Sequence, residues 1–151
     1  MSKILINENG KALMSADGKV YKTTADELKI ARSILDRTIT NYSDSEITKI
    51  RDYAFAYCGA LESVNIPNVA KIGNNAFKDC VVLTEINLSN VTSIGNYAFA
   101  CSAYQKGKLT SVDLSSAKEI GFFAFQYHSI KNIYAPVLAE ISVGTFGNLE
   151  Q

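Results

Sequence analysis

The chain has 151 residues, 47% of them hydrophobic and 20% charged, with 15 basic side chains against 15 acidic ones. That length suffices for one domain with its own core, and the composition is ordinary for a globular protein. Seven basic and five acidic residues in 1–40 leave that stretch at +2 and the remainder at −2. Neither part forms the basic stripe that displaces counterions from a nucleic acid. No apolar run approaches the ~20 residues of a membrane-spanning helix, so neither nucleic acid nor membrane insertion is expected.

From the N-terminus, the apolar triplet Ile4-Leu5-Ile6 is broken at once by Asn7. A secretory signal needs a longer apolar stretch and a small-residue cleavage site. With no export address visible, the location stays open between cytoplasm, virion or other particle, and a secreted form whose signal has been removed. Asn9-Gly10 and Asp17-Gly18 are tight-turn dipeptides. They predict a small meander with strands near 3–6, 11–14 and 19–21. Thr24-Ala25-Asp26-Glu27 has capping-box spacing ahead of Leu28, Ala31, Ile34 and Leu35, which share one helical face.

Beyond residue 38 one phrase recurs. Ile-x-x-x-Ala-Phe stands at Ile50–Phe55, Ile72–Phe77, Ile94–Phe99 and Ile120–Phe125, with a degenerate copy at Ile141–Phe146. The steps from Phe to Phe are 22, 22, 26 and 21 residues. A period in the low twenties marks a solenoid, in which each unit buries its apolar side only by stacking on the next. Between the Phe residues the copies align as Leu61, Val64, Ile66, Val69, Ile72 and Leu83, Ile86, Leu88, Val91, Ile94. Then come Leu109, Val112, Leu114, Ala117, Ile120 and Ile130, Ile133, Ala135, Leu138, Ile141. Apolar residues two apart, as at Val64 and Ile66, predict a strand with one buried face. Pro67 and Pro136 follow that strand where a missing N–H breaks no ladder. Gly73, Gly95 and Gly121 follow the Ile, where positive φ or close backbone approach is needed. The Ala-Phe pair is expected to open a short helical turn with the Phe plugging the coil.

The phrase Ile72-Gly73-Asn74-Asn75-Ala76-Phe77-Lys78-Asp79-Cys80-Val81-Val82-Leu83 resembles the unit of the BspA-like leucine-rich repeats, the Treponema pallidum type. So does Ala54-Phe55-Ala56-Tyr57-Cys58-Gly59-Ala60-Leu61-Glu62-Ser63-Val64-Asn65-Ile66-Pro67. The resemblance covers about 39–149 and departs at Ser142 and in the insertion Ser102–Lys108. It implies a right-handed leucine-rich-repeat coil of about four to five turns, and an adhesion module of bacterial or protist surfaces. The expected fold class is therefore an α+β repeat solenoid. Residues 1–38 form a meander and capping helix over the first coil, and 39–151 form the repeats. The last repeat ends without an amphipathic lid, which predicts self-association of that end or continuation of the chain.

For catalysis the sequence offers little. His128 is the single histidine, and no G-x-S-x-G, P-loop or dinucleotide fingerprint is present. The strand carboxylates Glu62, Glu85 and Asp113 fall at different repeat positions, so the protein is expected not to be an enzyme. Cys58, Cys80, Ser102 and His128 each stand three residues after a Phe. Register-equivalent residues form a ladder spaced ~5 Å per coil, too far apart for tetrahedral zinc, whose ligands lie within ~2.3 Å of the ion. No metal or other cofactor is expected, and the column reads as packing. Tyr53, Tyr57, Tyr97, Phe123 and Tyr127 flank the plugging Phe and read as lateral packing between coils, or as a binding stripe if exposed.

The expected binding surface is the outward side of the strands. Ser63, Asn65, Glu85, Asn87, Ser111, Asp113, Asn132 and Tyr134 should form columns there, with Tyr104 of the insertion projecting nearby. The leading expectation is a non-catalytic module recognising a protein or a glycan. The other is a structural subunit of a phage tail, baseplate or similar particle that forms a homo-oligomer through its C-terminal coil.

Overall fold

The computed structural model describes residues 33–34 and 36–147, together with two N-terminal strands, β1 (Leu5–Ile6) and β2 (Ala12–Met14). These two pair antiparallel, with Leu5 opposite Met14 and Ile6 opposite Ala12; the Asn9-Gly10 turn expected between them lies outside the described residues. The third meander strand expected near 19–21 lies outside the described residues.

The repeats form a β-solenoid of about four turns. Each turn begins with a strand: β3 (Asn41–Ser43), β5 (Ser63–Asn65), β7 (Glu85–Ile86), β9 (Ser111–Asp113) and β11 (Asn132–Tyr134). In β3, β5 and β9 the middle residue turns inward, whereas in β11 the expected inward residue, Ile133, is 43% exposed because no further coil covers it among the described residues. A corner leads to a second, shorter strand: β4 (Lys49–Ile50), β6 (Lys71–Ile72), β8 (Ser93–Ile94) and β10 (Glu119–Ile120). The short strands make one continuous parallel sheet in which Ile50, Ile72, Ile94 and Ile120 form a buried column. The longer strands do not. They divide into β3-β5-β7 and β9-β11, and the break falls where the insertion stretches the Phe-to-Phe step to 26 residues.

The Phe column is the axis of the core. Phe55, Phe77, Phe99 and Phe125 are buried, with ring centroids 5.1, 5.1 and 5.0 Å apart and planes within 2–4° of parallel. Tyr42 begins the column 4.8 Å from Phe55, and Phe146 ends it 5.4 Å from Phe125. The spacing is that of the backbone ladders, about 4.8 Å between parallel strands. The rings therefore stack because the coils do. Leu61, Leu83 and Leu109, and Ile66, Leu88 and Leu114, fill further buried columns beside them.

The turns bearing these Phe residues are not helical, which corrects the α+β expectation. Among the described residues, helical backbone is confined to Ser33 and Ile34. The rest of the helix expected from Thr24 lies outside the described residues, so a helical cap is no part of the observed fold. The reason in the turns is backbone geometry. Tyr53, Asn75, Tyr97 and Phe123 have φ between 54° and 61°, and Tyr57, Asp79 and Tyr127 between 55° and 65°. A left-handed residue on either side of the Phe ends any α-helical run. The N–H groups then alternate. Ala54, Ala56 and Cys58 donate three residues back, whereas Tyr53, Phe55 and Tyr57 donate to Asn74, Ala76 and Lys78 of the next coil. The turn segment is thus a third ladder beside those of the two sets of strands.

A polar column reinforces that ladder. The Asp52 carboxylate accepts from Asn74 N–H at 2.8 Å, the Asn74 side-chain oxygen from Asn96 N–H at 2.8 Å, and the Asn96 oxygen from Phe122 N–H at 2.9 Å. This packing explains Gly73, whose φ is not left-handed: a Cβ there would lie 2.5 Å from both the N and the Oδ1 of Asp52. Close approach, not positive φ, requires glycine at this place.

Candidate functional site

The sheet break divides the expected strand-face residues into two patches. In the first, β5 lies between β3 and β7, with Ser63 in register with Asn41 on one side and Glu85 on the other. Its polar groups mostly bond one another. Ser63 Oγ donates to Asn41 Oδ1 at 2.5 Å, and Asn65 Nδ2 to Ser43 Oγ at 3.5 Å. Asn87 Oδ1 accepts from the N–H and hydroxyl of Ser89, an Asx turn closing its own corner. Glu85 is exposed.

The second patch is built differently. Parallel register places Ser111 beside Asn132 and Asp113 beside Tyr134. Together with Val112, Lys131 and Ile133 these residues line an open depression. Asp113 Oδ1 accepts from Ser115 N–H at 3.0 Å and Ser115 Oγ at 2.5 Å, which orients the carboxylate and leaves Oδ2 uncommitted among the described residues. Ser111 and Asn132 are exposed, and Tyr134 is 61% exposed. The one continuous set of columns expected from the sequence is therefore two patches, one internally bonded and one open.

The insertion Ser102–Lys108 folds back onto the solenoid. Gly107 N–H donates to Tyr127 O at 3.0 Å and forms a parallel bridge with His128. A Cβ on Gly107 would collide with the His128 ring. Tyr104 is 98% exposed, so it projects from the loop as expected.

His128 is buried beneath that loop. Its Nδ1 lies 3.2 Å from the N–H of Leu109, a donor, so Nδ1 accepts. The proton then sits on Nε2, which donates to Phe99 O at 2.6 Å, with Cys101 Sγ 3.6 Å away. Nearer the N-terminal end of the stack, Cys80 Sγ donates to Phe55 O at 3.1 Å. His128 and Cys80 thus act alike, each satisfying the carbonyl of the Phe in an earlier coil. Burial pushes the Cys101 thiol up to about 12, helped by the Asp79 carboxylate. Burial also raises Cys80 and lowers His128. These are neutral groups, not the thiolate–imidazolium pair of an activated nucleophile. Cys58, Cys80 and Cys101 are all buried. Among the described residues, no three His, Cys, Asp or Glu side chains come together as metal ligands would.

The aromatic flank is half packed and half open. Tyr97 stacks on Phe123 at 5.4 Å, with Lys78 Nζ 5.9 Å over the Tyr97 ring and Arg37 5.2 Å over Tyr57. Tyr53, Tyr57 and Tyr97 remain exposed. Sequence reading placed them beside the Phe but missed their left-handed backbone. It also missed the Asp52-Asn74-Asn96 column, although an Asx residue stands two after each of Ile50, Ile72 and Ile94.

The family model described as the BspA type leucine rich repeat region matches residues 37–151 in six copies. No curated protein and no solved structure matches the chain.

Proposed function

Because this chain belongs to the BspA-type leucine-rich-repeat family, we propose that it is a non-catalytic recognition module. It presents the outward residues of its longer strands to a protein or a glycan, as an adhesion protein does. The carrying observation is the open second patch. Ser111, Asn132 and Tyr134 are displayed on adjacent strands with no side-chain hydrogen bond among the described residues, beside an Asp113 held in place by Ser115. A rigid ladder bearing short side chains loses little conformational entropy on binding.

Glu85→Lys combined with Asn132→Lys tests the strand face, because both residues are exposed and neither caps a turn. Asn87 and Asp113 would be poorer choices, since each holds its own corner closed. Screened on arrays of glycans and purified proteins, the double variant should lose at least about tenfold of the wild-type signal with its thermal midpoint unchanged. Undiminished binding would remove this face from consideration.

A second reading, a self-associating structural subunit of a phage tail or other particle, rests on the last described coil. Ile133, Val137, Ile141 and Val143 are exposed there, Ile141 to 65% and Val143 to 69%. Ile141 continues a column whose other members are buried. Several exposed apolar side chains within one coil favour association. Light scattering should show mass rising with concentration, and Ile141→Glu should return the protein to a monomer. A wild-type monomer at every concentration would reject this reading.

A further inference from the structure

We infer that the depression over β9 and β11 is a subsite for one pyranose unit of a neutral glycan. Tyr134 serves as the stacking platform, and Asp113 and Asn132 as the hydroxyl-reading pair. The inference rests on the strand-face reading and narrows its ligand to one chemical class.

The two patches differ in which polar groups are already engaged. On β3 and β5 they are consumed in bonds between coils. On β9 and β11 they are not: Asn132 offers an unpartnered amide, able to donate and accept, among the described residues. Asp113 offers Oδ2 as an acceptor, while both Ser115 bonds fall on Oδ1 and hold the carboxylate fixed. A charged acceptor immobilised in advance makes stronger hydrogen bonds at lower entropic cost than a free one. Sugar hydroxyls, each a donor and an acceptor, suit this mixed set. A phosphate or carboxylate ligand would face Asp113 directly, with Lys131 as the one cation among the lining residues.

Tyr134 supplies the second requirement. Tyr134 is 61% exposed and lies in register with Asp113 on the neighbouring strand. The C–H face of a pyranose is apolar while its rim is polar. A tyrosine ring, apolar in its body and polar at its tip, matches that division. The size of the feature favours the same ligand. The depression is confined to two strands, whereas a stable protein interface needs roughly 800 Å² per partner and an apolar centre. A saccharide subsite needs one apolar wall and a few placed polar groups.

The test is isothermal titration of the purified chain with tetrasaccharides of glucose, mannose and N-acetylglucosamine, alongside Tyr134→Ala, Tyr134→Phe, Asp113→Asn and Ser63→Ala. At least one tetrasaccharide should bind. Tyr134→Ala and Asp113→Asn should each weaken it by about tenfold or more, while Tyr134→Phe, which keeps the ring, and Ser63→Ala, on the bonded patch, should stay within about threefold. Failure of every tetrasaccharide to bind, or equal affinity in Tyr134→Ala, overturns the glycan subsite. If the saccharides fail while Glu85→Lys with Asn132→Lys still abolishes capture of a purified protein from the array, the strand face stands and only the ligand class falls. If neither effect is seen, both readings fall together.

Discussion

Phe77→Ala is expected to cost about 3–5 kcal/mol, near the upper end for removal of a buried aromatic. Phe77 is fully enclosed, with parallel rings 5.1 Å away on either side. What sets the cost is how far the neighbours can collapse into the space left behind. Here they cannot move far. Phe55 N–H is tied to Ala76 O at 2.7 Å, and Phe77 N–H to Ala98 O at 2.7 Å, so coil spacing is held by the ladders flanking the void. Phe146, at the end of the column with one stacked neighbour and partial burial, provides the comparison. Its alanine variant should lose about 1–2 kcal/mol. Urea unfolding measures both. A solenoid can lose cooperativity when a middle repeat is weakened, so the slope of the transition should be followed along with its midpoint. A loss below about 1 kcal/mol at Phe77 would mean that the column does not organise the core.

The second large effect belongs to His128. Replacing it with alanine removes the partner of the buried Leu109 N–H, leaves the buried Phe99 O only the longer 3.9 Å contact from Cys101 Sγ, and opens a void under the insertion. About 2–4 kcal/mol should be lost. Cysteine, which fills the corresponding role at Cys80, should recover part of this by serving the Phe99 carbonyl. It is too short to serve Leu109 as well.

The same geometry sets a pH dependence. Burial lowers the His128 pKa below its ordinary value of 6.5, and the bond to Phe99 O opposes that only in part. The unfolded chain therefore binds a proton more readily than the folded one, and stability falls as pH falls through 6.5 toward the depressed folded value. Protonation would also set an Nδ1–H against the Leu109 N–H. Between about pH 7 and about pH 5, the thermal midpoint of the native protein should drop more than that of His128→Cys. Carboxylate titration is common to both proteins and cancels in the comparison. Parallel curves would show that the ring is solvated.

How much of this was legible beforehand depends on whether an interaction repeats with the sequence period. Phe55, Phe77, Phe99 and Phe125 recur in one environment and stack in one column, and Val64 and Val112 point inward from their strands as the two-residue spacing required. The turn segment was misread. Tyr53 with Tyr57, spaced four apart, satisfies a helical pattern equally well, and only the φ values of 61° and 65° show the chain reversing its hand. The aromatic side chains there gave no warning, because bulky residues rarely adopt that region. The hints lay elsewhere, in Asn75 and Asp79 and in Gly144, whose φ is 63° at the equivalent place in the last repeat, because these residue types enter the left-handed region most readily. At the candidate site, Ser63 and Ser111 occupy the same repeat position, and no property of either residue separates them. Their difference lies in neighbours: Ser63 bonds Asn41 across an intact sheet, whereas Ser111 lies beyond the break.

By itself, then, the sequence determined the family, the period, the identity of the buried columns short of the last repeat, where Ile133 and Ile141 are exposed, and the alternation of inward and outward side chains on the longer strands. Each of these follows from composition repeated at a constant interval, which the chain states in one dimension. Only the tertiary structure decided that the turns are a third hydrogen-bonded ladder and not helices, that His128 stands in for a cysteine, and that four extra residues split the strand face. Those outcomes depend on which backbone groups of successive coils come within hydrogen-bond reach, and reach between coils is a property of the folded stack.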